Sequence, residues 1–309
     1  MSKIDCSIIF PLLNEEENID NSYSVLSQIM QAEKLSYEII YVNDGSTDNS
    51  ENLIKELCQK DKRVKLISFS RNFGQQSASL AGFKYAKGKC AINMDIDLEE
   101  NPNVIPQMIQ KWKEGYEVVT VKRRKRRDGL FKRMTAYLYN KLLKSMGVKQ
   151  QDNLAEFRLL DRKVINELIS LTEKNIFLKN QINWLGFKHI TLETNREKRQ
   201  RGKTNYNIKK LTKIAIKGIA VSTDKPLYFA FGFSVLFFLL TCASLATFIV
   251  LEALKIAFPV SFWLMPVILA STAVLLLVLG FIGMYLSFTY DEVKNRPRYI
   301  IGETINIED

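Results

Sequence analysis

The sequence is poor in the residues that build metal-thiolate sites, disulfide frameworks and histidine-based catalysis. It has one histidine and four cysteines among its 309 residues. Cys6, Cys58, Cys90 and Cys242 follow no metal-ligand spacing, so neither a zinc site nor a disulfide framework is expected. We interpret the cysteines as packing residues of a protein in a reducing compartment, and His189, in a strand-like stretch, as a structural residue.

Glycine-rich phosphate loops and an export signal are missing as well. None of the apolar segments that resemble strands is followed by the glycine pattern of a dinucleotide fingerprint or a P-loop. The N-terminal segment has no basic n-region leading into a hydrophobic h-region, so a cleaved secretion signal is not expected. The nucleotide-binding classes that depend on such loops are therefore disfavoured.

Charged residues are nearly absent from the last third of the chain. Residues 227–251 and 256–290 contain none of them. Because about 20 apolar residues of helix cross a bilayer, each run is long enough to span it. We expect a transmembrane hairpin over 227–290, with spans at about 227–251 and 262–288.

The basic residues around these runs predict the orientation of the hairpin. Lysines are concentrated before the first run, and Lys294, Arg296 and Arg298 follow the second. This asymmetry places both ends, including a tail at 291–309, in the cytoplasm. Residues 207–226 carry apolar residues at helical spacing and lysines on another face, which predicts an amphipathic segment lying at the membrane interface.

The net charge of +11 could indicate a nucleic-acid-binding protein. Its densest source is the run of lysines and arginines at 122–127, which by composition alone would be a solvated segment. With a hairpin holding the chain at a bilayer, anionic lipids and phosphorylated lipids are nearer partners than DNA. We therefore expect lipid partners and no nucleic acid.

The first 120 residues alternate between buried strands and amphipathic helices. Strands are predicted at 6–13, 38–42, 64–69, 90–94 and 117–121, and helices at 16–30, 47–59, 75–87 and 104–113. This alternation predicts an α/β fold with a largely parallel sheet. Ligands of such sheets bind beyond the carboxyl ends of the strands.

Polar residues follow each of the first four predicted strands, and three of the four strand ends carry carboxylates. Carboxylates suit ribose hydroxyls, the donor edge of a base, and a divalent cation that neutralises a diphosphate. Each motif alone is weak, since Asp-x-Asp is common and residues 43–48 alone would be a turn and a helix cap. Their joint order is the informative feature.

The motifs in order are Pro11 with Asn14-Glu15, Asn43-Asp44-Gly45-Ser46, Arg71-Asn72-Phe73-Gly74, Asp95-x-Asp97, Arg123-x-x-Arg126, Phe157-Arg158-Leu159, Trp184-x-Gly186-Phe187, and Arg199-x-x-Gly202 followed by Tyr206. With the two apolar runs, this set resembles the family-two glycosyltransferases. Within that family it is similar to the polyisoprenyl-phosphate glycosyltransferases, which include dolichol-phosphate mannose synthases and bacterial undecaprenyl-phosphate glucose synthases. The resemblance implies a glycosyltransferase domain of the nucleotide-sugar-binding A type over 1–206.

The resemblance also implies a role for each matching position. The nucleotide is expected to be bound by Pro11, Glu15, Asp44 and Asp95. A Mg²⁺ or Mn²⁺ ion is expected to be bound by Asp97, Asp95 and Glu99. The acceptor phosphate is expected to be bound by Arg123, Arg126, Lys132, Arg133 and Arg158. A loop that closes on the donor diphosphate contains Arg199, Lys203 and Thr204. The catalytic set is Asp97, Asp95 and Glu156.

Two positions depart from the family pattern. Glu156 stands where many relatives have Asp before Phe-Arg-Leu, so its reach is one methylene longer and its role as a base stays open. Glu99 stands where relatives commonly carry Gln as an auxiliary metal contact. An added negative charge there either tightens the ion or faces solvent.

The implied reaction is an inverting transfer of one sugar from a nucleotide diphosphate sugar to a polyprenyl phosphate of the undecaprenyl type at the cytoplasmic membrane face. A UDP-sugar is favoured over a GDP-sugar. The product would serve the later glycosylation of cell-surface polymers such as lipopolysaccharide or teichoic acid. Anionic membrane lipids are further expected partners, and a homo-oligomer is a reasonable assembly.

Three different functions stay open beside this one. A processive polysaccharide synthase would share the donor site, but residues 181–184 lack the arginine of its Gln-x-x-Arg-Trp element. The second is a transferase that acts directly on a different lipid or on protein, and the third is a non-catalytic nucleotide-sugar-binding membrane protein. The basic residues have a simpler interpretation as lipid headgroup contacts, and Trp184 as a core residue.

Overall fold

The computed structural model describes residues 4–123, 154–173, 177–194, 225–254 and 260–307. These residues divide into two compact units. The sheet unit contains the described residues up to 194 together with 296–307. The helical unit contains 225–254 and 260–295.

The sheet unit is built on one sheet that follows the predicted α/β pattern. Its strands are β1 (Cys6–Leu12), β2 (Tyr37–Asn43), β3 (Val64–Phe69), β4 (Cys90–Asn93), β5 (Val118–Arg123), β6 (Leu154–Asp161), β7 (His189–Thr194) and β8 (Ile301–Ile305). Its helices are α1 (Ile19–Ala32), α2 (Ser50–Lys60), α3 (Gln75–Tyr85), α4 (Ile105–Lys113), α5 (Arg162–Ser170) and α6 (Leu178–Leu185). Two short 3₁₀ turns, Glu16–Asn18 and Pro102–Val104, precede α1 and α4.

The strands lie in the order β7-β5-β6-β4-β1-β2-β3-β8. The central pairs β4–β1, β1–β2 and β2–β3 are parallel, as is β5–β7, while β6 and β8 run antiparallel to their neighbours. The five predicted strands and the four predicted helices are confirmed, with small shifts at their ends. The carboxyl ends of β1, β2 and β4 therefore meet at one edge of the sheet.

Alternation along the strands places one apolar core on each face of the sheet. Ile8 and Phe10 of β1 pack in the core covered by α1, α2 and α4. Ile9 packs in the core covered by α3, α5 and α6. All three side chains are fully buried, and each contributes roughly 1.5–3 kcal/mol to folding by burial. This two-sided burial explains why the central strands read as continuous apolar runs.

The last strand, β8, comes from the segment that the sequence treats as a tail, 291–309. It pairs antiparallel with β3, with Leu66 opposite Ile305. The Asn306 side-chain amide donates to the carbonyls of Cys58 and Val64 at 2.8 Å each. The tail is thus part of the sheet unit, and the strand was not predicted.

The helical unit consists of α7 (Lys225–Ala253) and α8 (Val260–Val293), which contact each other. Within the described part of this unit, residues Ala270–Val293 form a helix long and apolar enough to cross a membrane, and Val235–Leu251 form a shorter apolar one. The helix at Ala270–Val293 supports the predicted membrane association. The predicted span at about 227–251, and with it the hairpin, stays a prediction.

Three of the four cysteines and the histidine agree with their structural interpretation, whereas Cys242 does not pack in a core. Cys6, Cys58 and Cys90 are free and buried, whereas Cys242 is free and exposed on α7. His189 lies in β7, where its Nε2 is 2.7 Å from the Thr120 hydroxyl. Burial and the nearby Arg158 charge lower the His189 pKa, so the ring is neutral at pH 7.

Candidate active site

The turn after β2 is closed by its own side chains. The Ser46 N–H donates to Asn43 Oδ1 at 2.9 Å, which fixes the turn. Gly45 has φ +75°, and a Cβ there would lie 2.7 Å from the carbonyl carbon of Arg71 and 2.8 Å from the Asn72 nitrogen. Glycine is needed because the turn packs directly against the backbone that follows β3. The turn after β2 and the segment after β3 are therefore held in contact.

Asp44 anchors the segment that leads into α3, residues 71–76, which we call the α3 entry segment. Its carboxylate accepts the Phe73 N–H at 2.6 Å and the Gly74 N–H at 2.9 Å. Burial raises the pKa of Asp44, and these two donors, with the charge of Arg71, oppose that rise. Asp44 thus has a clear structural role here, and its predicted contact with the nucleotide stays a prediction.

The end of β1 is tied to the same turn. Asn14, with φ 57°, accepts the Thr47 N–H at 2.8 Å, and its own N–H donates to the Ser46 hydroxyl at 2.9 Å. The Glu15 carboxylate accepts from the Asn18 amide at 2.6 Å. Pro11 is buried within β1 opposite Val42. Pro11 and Glu15 therefore lie beside the Asp44 turn, as the motif order implies.

Three carboxylates converge after β4. One oxygen from each of Asp95, Asp97 and Glu100 lies within 4.8 Å of the others. Leu98 adopts φ 49°, so the chain turns sharply between Asp97 and Glu100. Hard carboxylate oxygens at this spacing fit Mg²⁺ or Mn²⁺.

The third member of this acidic group differs from the sequence prediction. Glu99 was predicted as the auxiliary metal contact, but the group contains Glu100 instead. The Glu99 N–H donates to Asp97 Oδ1 at 3.1 Å, so Glu99 shapes the turn through its backbone. Leu98, directly before Glu99, has a positive φ, and the turn there brings the side chain of Glu100 close to Asp95. Residue spacing alone does not predict this turn.

Glu156 lies next to β4 and is paired with a buried arginine. The Arg158 guanidinium contacts the Glu156 carboxylate at 2.5 Å, and Arg158 is 3% exposed. The Asn93 amide donates to the Glu156 carbonyl at 3.1 Å, which ties β6 to the end of β4. The charged group of Arg158 lies against Glu156, and its predicted contact with the acceptor phosphate stays a prediction.

Two glutamines at the start of α3 reach the carboxylates on either side. The Gln75 amide donates to Asp95 Oδ1 at 2.7 Å. The Gln76 amide lies 3.5 Å from Glu156 Oε1, a long contact, and Gln76 Oε1 accepts the Leu178 N–H at 3.1 Å. Sequence reasoning missed both glutamines and Glu100. The only available signal was the position of the glutamines directly after the Arg-Asn-Phe-Gly motif.

Several predicted site residues have no structural description. Arg126, Lys132, Arg133, Arg199, Lys203 and Thr204 lie outside the described residues. For Arg123 the structure gives the backbone position, the last residue of β5. The basic acceptor set and the donor loop therefore stay predictions.

Trp184 is not the core residue that its surroundings in the sequence indicated. It lies on α6 and is 76% exposed. The buried residues of that helix are Leu178, Gln181 and Ile182, which leaves Trp184 on another face of the helix. The expectation failed because a single aromatic in an eight-residue helix does not define the buried face.

Comparison with known proteins agrees with this architecture. The profile described as "Glycosyl transferase family 2" matches residues 7–169. An uncharacterized glycosyltransferase of Bacillus subtilis, YkcC, is 40% identical, covering 99% of this chain and 96% of the relative. A bactoprenol glucosyl transferase derived from prophage SfII in Shigella flexneri is 34% identical, covering 96% of this chain and 97% of the relative.

A solved structure supports the fold alone. The crystal structure of mannosyl-3-phosphoglycerate synthase from Rubrobacter xylanophilus aligns with a TM-score of 0.50 and 12% identity. The alignment covers 70% of this chain and 72% of that one. Together with the strand-end carboxylates and the profile match, the two sequence relatives show that this chain belongs to glycosyl transferase family 2.

Proposed function

We propose that the protein transfers one sugar from a nucleotide diphosphate sugar to a polyprenyl phosphate of the undecaprenyl type. The observation that carries this proposal is the gathering of Asp44, Asp95 and Asp97 around the ends of β2 and β4. Family membership gives the reaction class, and relatives named bactoprenol glucosyl transferases support the lipid acceptor. A UDP-sugar is the favoured donor.

The reaction replaces one bond at the anomeric carbon. The bond to the β-phosphate oxygen of the donor breaks, and a bond to a phosphate oxygen of the lipid forms. A phosphate monoester with a second pKa of about 6 is already ionised near pH 7, so no strong general base is required. The site instead has to hold two anions in line. A single displacement inverts the configuration, so an α-linked donor gives a β-linked product.

The acidic group would hold the divalent ion of this reaction. Asp95, Asp97 and Glu100 supply only carboxylate oxygens, which fits Mg²⁺ or Mn²⁺. When bound, such an ion offsets the negative charge that builds on the departing diphosphate. Asp97 remains the proposed principal ligand, and Glu99 supports the turn that presents it.

The acceptor side would be formed by the basic residues Arg123, Arg126, Lys132 and Arg133. Their guanidinium and ammonium groups offset the repulsion between the lipid phosphate and the donor diphosphate. We propose that Arg158, buried against Glu156, fixes that carboxylate beside the acceptor. For the donor diphosphate we propose a closing loop with Arg199, Lys203 and Thr204.

We place the protein in the cytoplasmic membrane with two spans, at about 227–251 and 262–288, and with both ends in the cytoplasm. The order of strands in the sheet supports an even number of crossings. β8 follows α8 in the chain but pairs with β3, which precedes α7. Both ends of the apolar stretch lead into one folded unit, and this supports the proposal of two crossings over a single one.

The Asp97→Asn variant tests the proposal directly. Membranes containing the full-length protein are incubated with undecaprenyl phosphate and a panel of labelled UDP- and GDP-sugars, and the lipid product is quantified. We expect the transfer rate of Asp97→Asn to be lower by more than about 100-fold, because the substitution removes the charge of the proposed principal ligand of the divalent ion. Glu56→Gln, an exposed carboxylate on α2, is the matched control and should keep full activity.

Each competing function has its own outcome in this assay. Near-normal transfer by Asp97→Asn would overturn the metal assignment. A wild-type product on another lipid or on protein, with none on polyprenyl phosphate, would overturn the acceptor. Absence of turnover with every donor would favour a non-catalytic binding protein.

A further inference from the structure

The α3 entry segment contacts three of the candidate carboxylates, Asp44, Asp95 and Glu156. Its backbone N–H groups hold Asp44, and the side chain of Gln75 holds Asp95. The side chain of Gln76 lies against Glu156. Adjacent residues on one helical turn thus reach two carboxylates to which the proposed function gives different tasks.

Gln75 holds Asp95 without neutralising it. Its Nε2 donates to Asp95 Oδ1 at 2.7 Å, a normal hydrogen bond that fixes the plane of the carboxylate. A carboxylate accepts about four hydrogen bonds or ligand bonds, and the contact with Gln75 is one of them. A lysine or arginine here would compete with a divalent cation for the charge of Asp95, and a carboxylate would repel Asp95.

The side chain of Gln76 connects Glu156, on the proposed acceptor side of the site, to the start of α6. Its Oε1 accepts the first backbone N–H of α6, from Leu178, while its Nε2 faces Glu156 at 3.5 Å. The opposite side of the Glu156 carboxylate is held by Arg158 at 2.5 Å. Glu156 is therefore flanked by one neutral and one charged donor, and the neutral one is anchored to α6.

We propose that Gln75 and Gln76 are positioning residues with separate tasks, a role that rests on the proposed function. Gln75 orients Asp95 for the donor and its divalent ion. Gln76 orients Glu156 for the acceptor. The first turn of α3 then sets the distance between the two halves of the site, because both side chains project from consecutive residues of one rigid helix.

The test compares Gln75→Leu with Gln76→Leu in the full-length protein in detergent. Binding of Mn²⁺ with UDP, measured by calorimetry, should weaken about 10- to 100-fold in Gln75→Leu, as for loss of an outer-sphere partner of a metal ligand. Binding should be unchanged in Gln76→Leu. In transfer assays Gln75→Leu should raise the donor KM, whereas Gln76→Leu should lower kcat or raise the acceptor KM at an unchanged donor KM.

Gln107→Leu on α4 is the matched control, because Gln107 is exposed and has no assigned part in the proposed site. Gln75 is exposed as well, so Gln75→Leu should keep the wild-type thermal midpoint. Equal binding of Mn²⁺ with UDP by wild type and Gln75→Leu overturns the inference, as does an identical kinetic profile in the two variants. If wild type binds Mn²⁺ with neither UDP nor GDP, the proposed function itself is overturned.

Discussion

The two units of this protein differ in how much of their large apolar side chains is exposed. Leu26 and Leu159 in the sheet unit are completely buried. Leu276 and Phe238 in the helical unit are 63% and 68% exposed. Soluble proteins rarely leave such apolar surface uncovered, so the difference supports the proposed placement of the helical unit in a membrane.

Hydroxyl groups show the same contrast. In the sheet unit some hydroxyls bond across elements, as Ser7 does to Glu38 at 2.5 Å and Ser68 does to Glu51 at 2.6 Å, although Ser77 donates to the Phe73 carbonyl four residues earlier. On the described part of α7 and α8, the Thr241 and Thr272 hydroxyls donate to carbonyls four residues earlier at 2.8 Å. A helix in lipid satisfies its polar groups internally because no water is available.

The largest expected effect comes from truncating a buried leucine in the sheet unit. Leu26→Ala should lower the free energy of unfolding by about 2–5 kcal/mol, because it removes core contacts and leaves a cavity. Leu276→Ala should change it by less than about 0.5 kcal/mol. Thermal unfolding of the full-length protein in detergent measures both, and equal losses would contradict the proposed placement of the helical unit in a membrane.

A charge on the exposed face of α8 tests the lipid side of the comparison. Leu276→Arg should disfavour membrane insertion by about 2.5–3.5 kcal/mol, the cost of arginine near the centre of a spanning helix. The measurement is the fraction of protein left in membranes after an alkaline wash, with Leu276→Ala as the control. Full retention of Leu276→Arg would place this face away from lipid.

A smaller effect is expected where the chain rejoins the sheet after the helical unit. Tyr299 stacks on Phe69 with ring centroids 4.9 Å apart, and Phe69 contacts Phe73 edge-on at 5.8 Å. Tyr299→Ala should cost roughly 0.5–1.5 kcal/mol from the stack, and Tyr299→Phe almost nothing. Thermal midpoints measure this, and a large loss in Tyr299→Phe would assign the stabilisation to the hydroxyl instead.

The smallest effect is expected at the ion pairs of Lys55, which contacts Glu51 at 2.8 Å and Glu303 of β8 at 2.7 Å. All three groups are about a third or more exposed, so Lys55→Ala should cost no more than about 1 kcal/mol.

The pH dependence of this loss follows from Glu51. The hydrogen bonds from Lys55 and Ser68 hold the pKa of Glu51 below its ordinary value of 4.5. The stabilisation is therefore present above pH 4.5 and is lost as pH falls through the lower folded value. The difference between wild type and Lys55→Ala should shrink in acid and in high salt. A difference that grows in acid would contradict the assignment.

The central fold was predictable because its pattern is local and repeated. β1 to β4 are apolar runs with polar ends, and each is followed by a helix. Three of these helices are amphipathic, whereas α3 is buried on most of its surface. β8 was missed because Ile301–Ile305 is short and half-exposed, and its partner β3 lies far away in the sequence. Nothing local marks such a strand until its neighbour is known.

The site was predictable where function rests on strand ends and not where it rests on side-chain direction. Asp44 and Asp95 follow from strand order alone. Glu100 depends on the positive φ of Leu98, and Gln75 depends on the angle at which α3 leaves Gly74. A backbone angle and the direction of a helix leave no periodic pattern of apolar and polar residues, so they cannot be predicted from one sequence.

The position of β8 has a consequence for biosynthesis. A ribosome makes β3 early, then both long apolar helices, and only afterwards the strand that covers the free edge of β3. Until then the backbone of β3 remains open to pairing with other nascent chains. Completion of the sheet is thus deferred until both long apolar helices have been synthesised, so the sheet unit finishes folding only after the helical unit has left the ribosome.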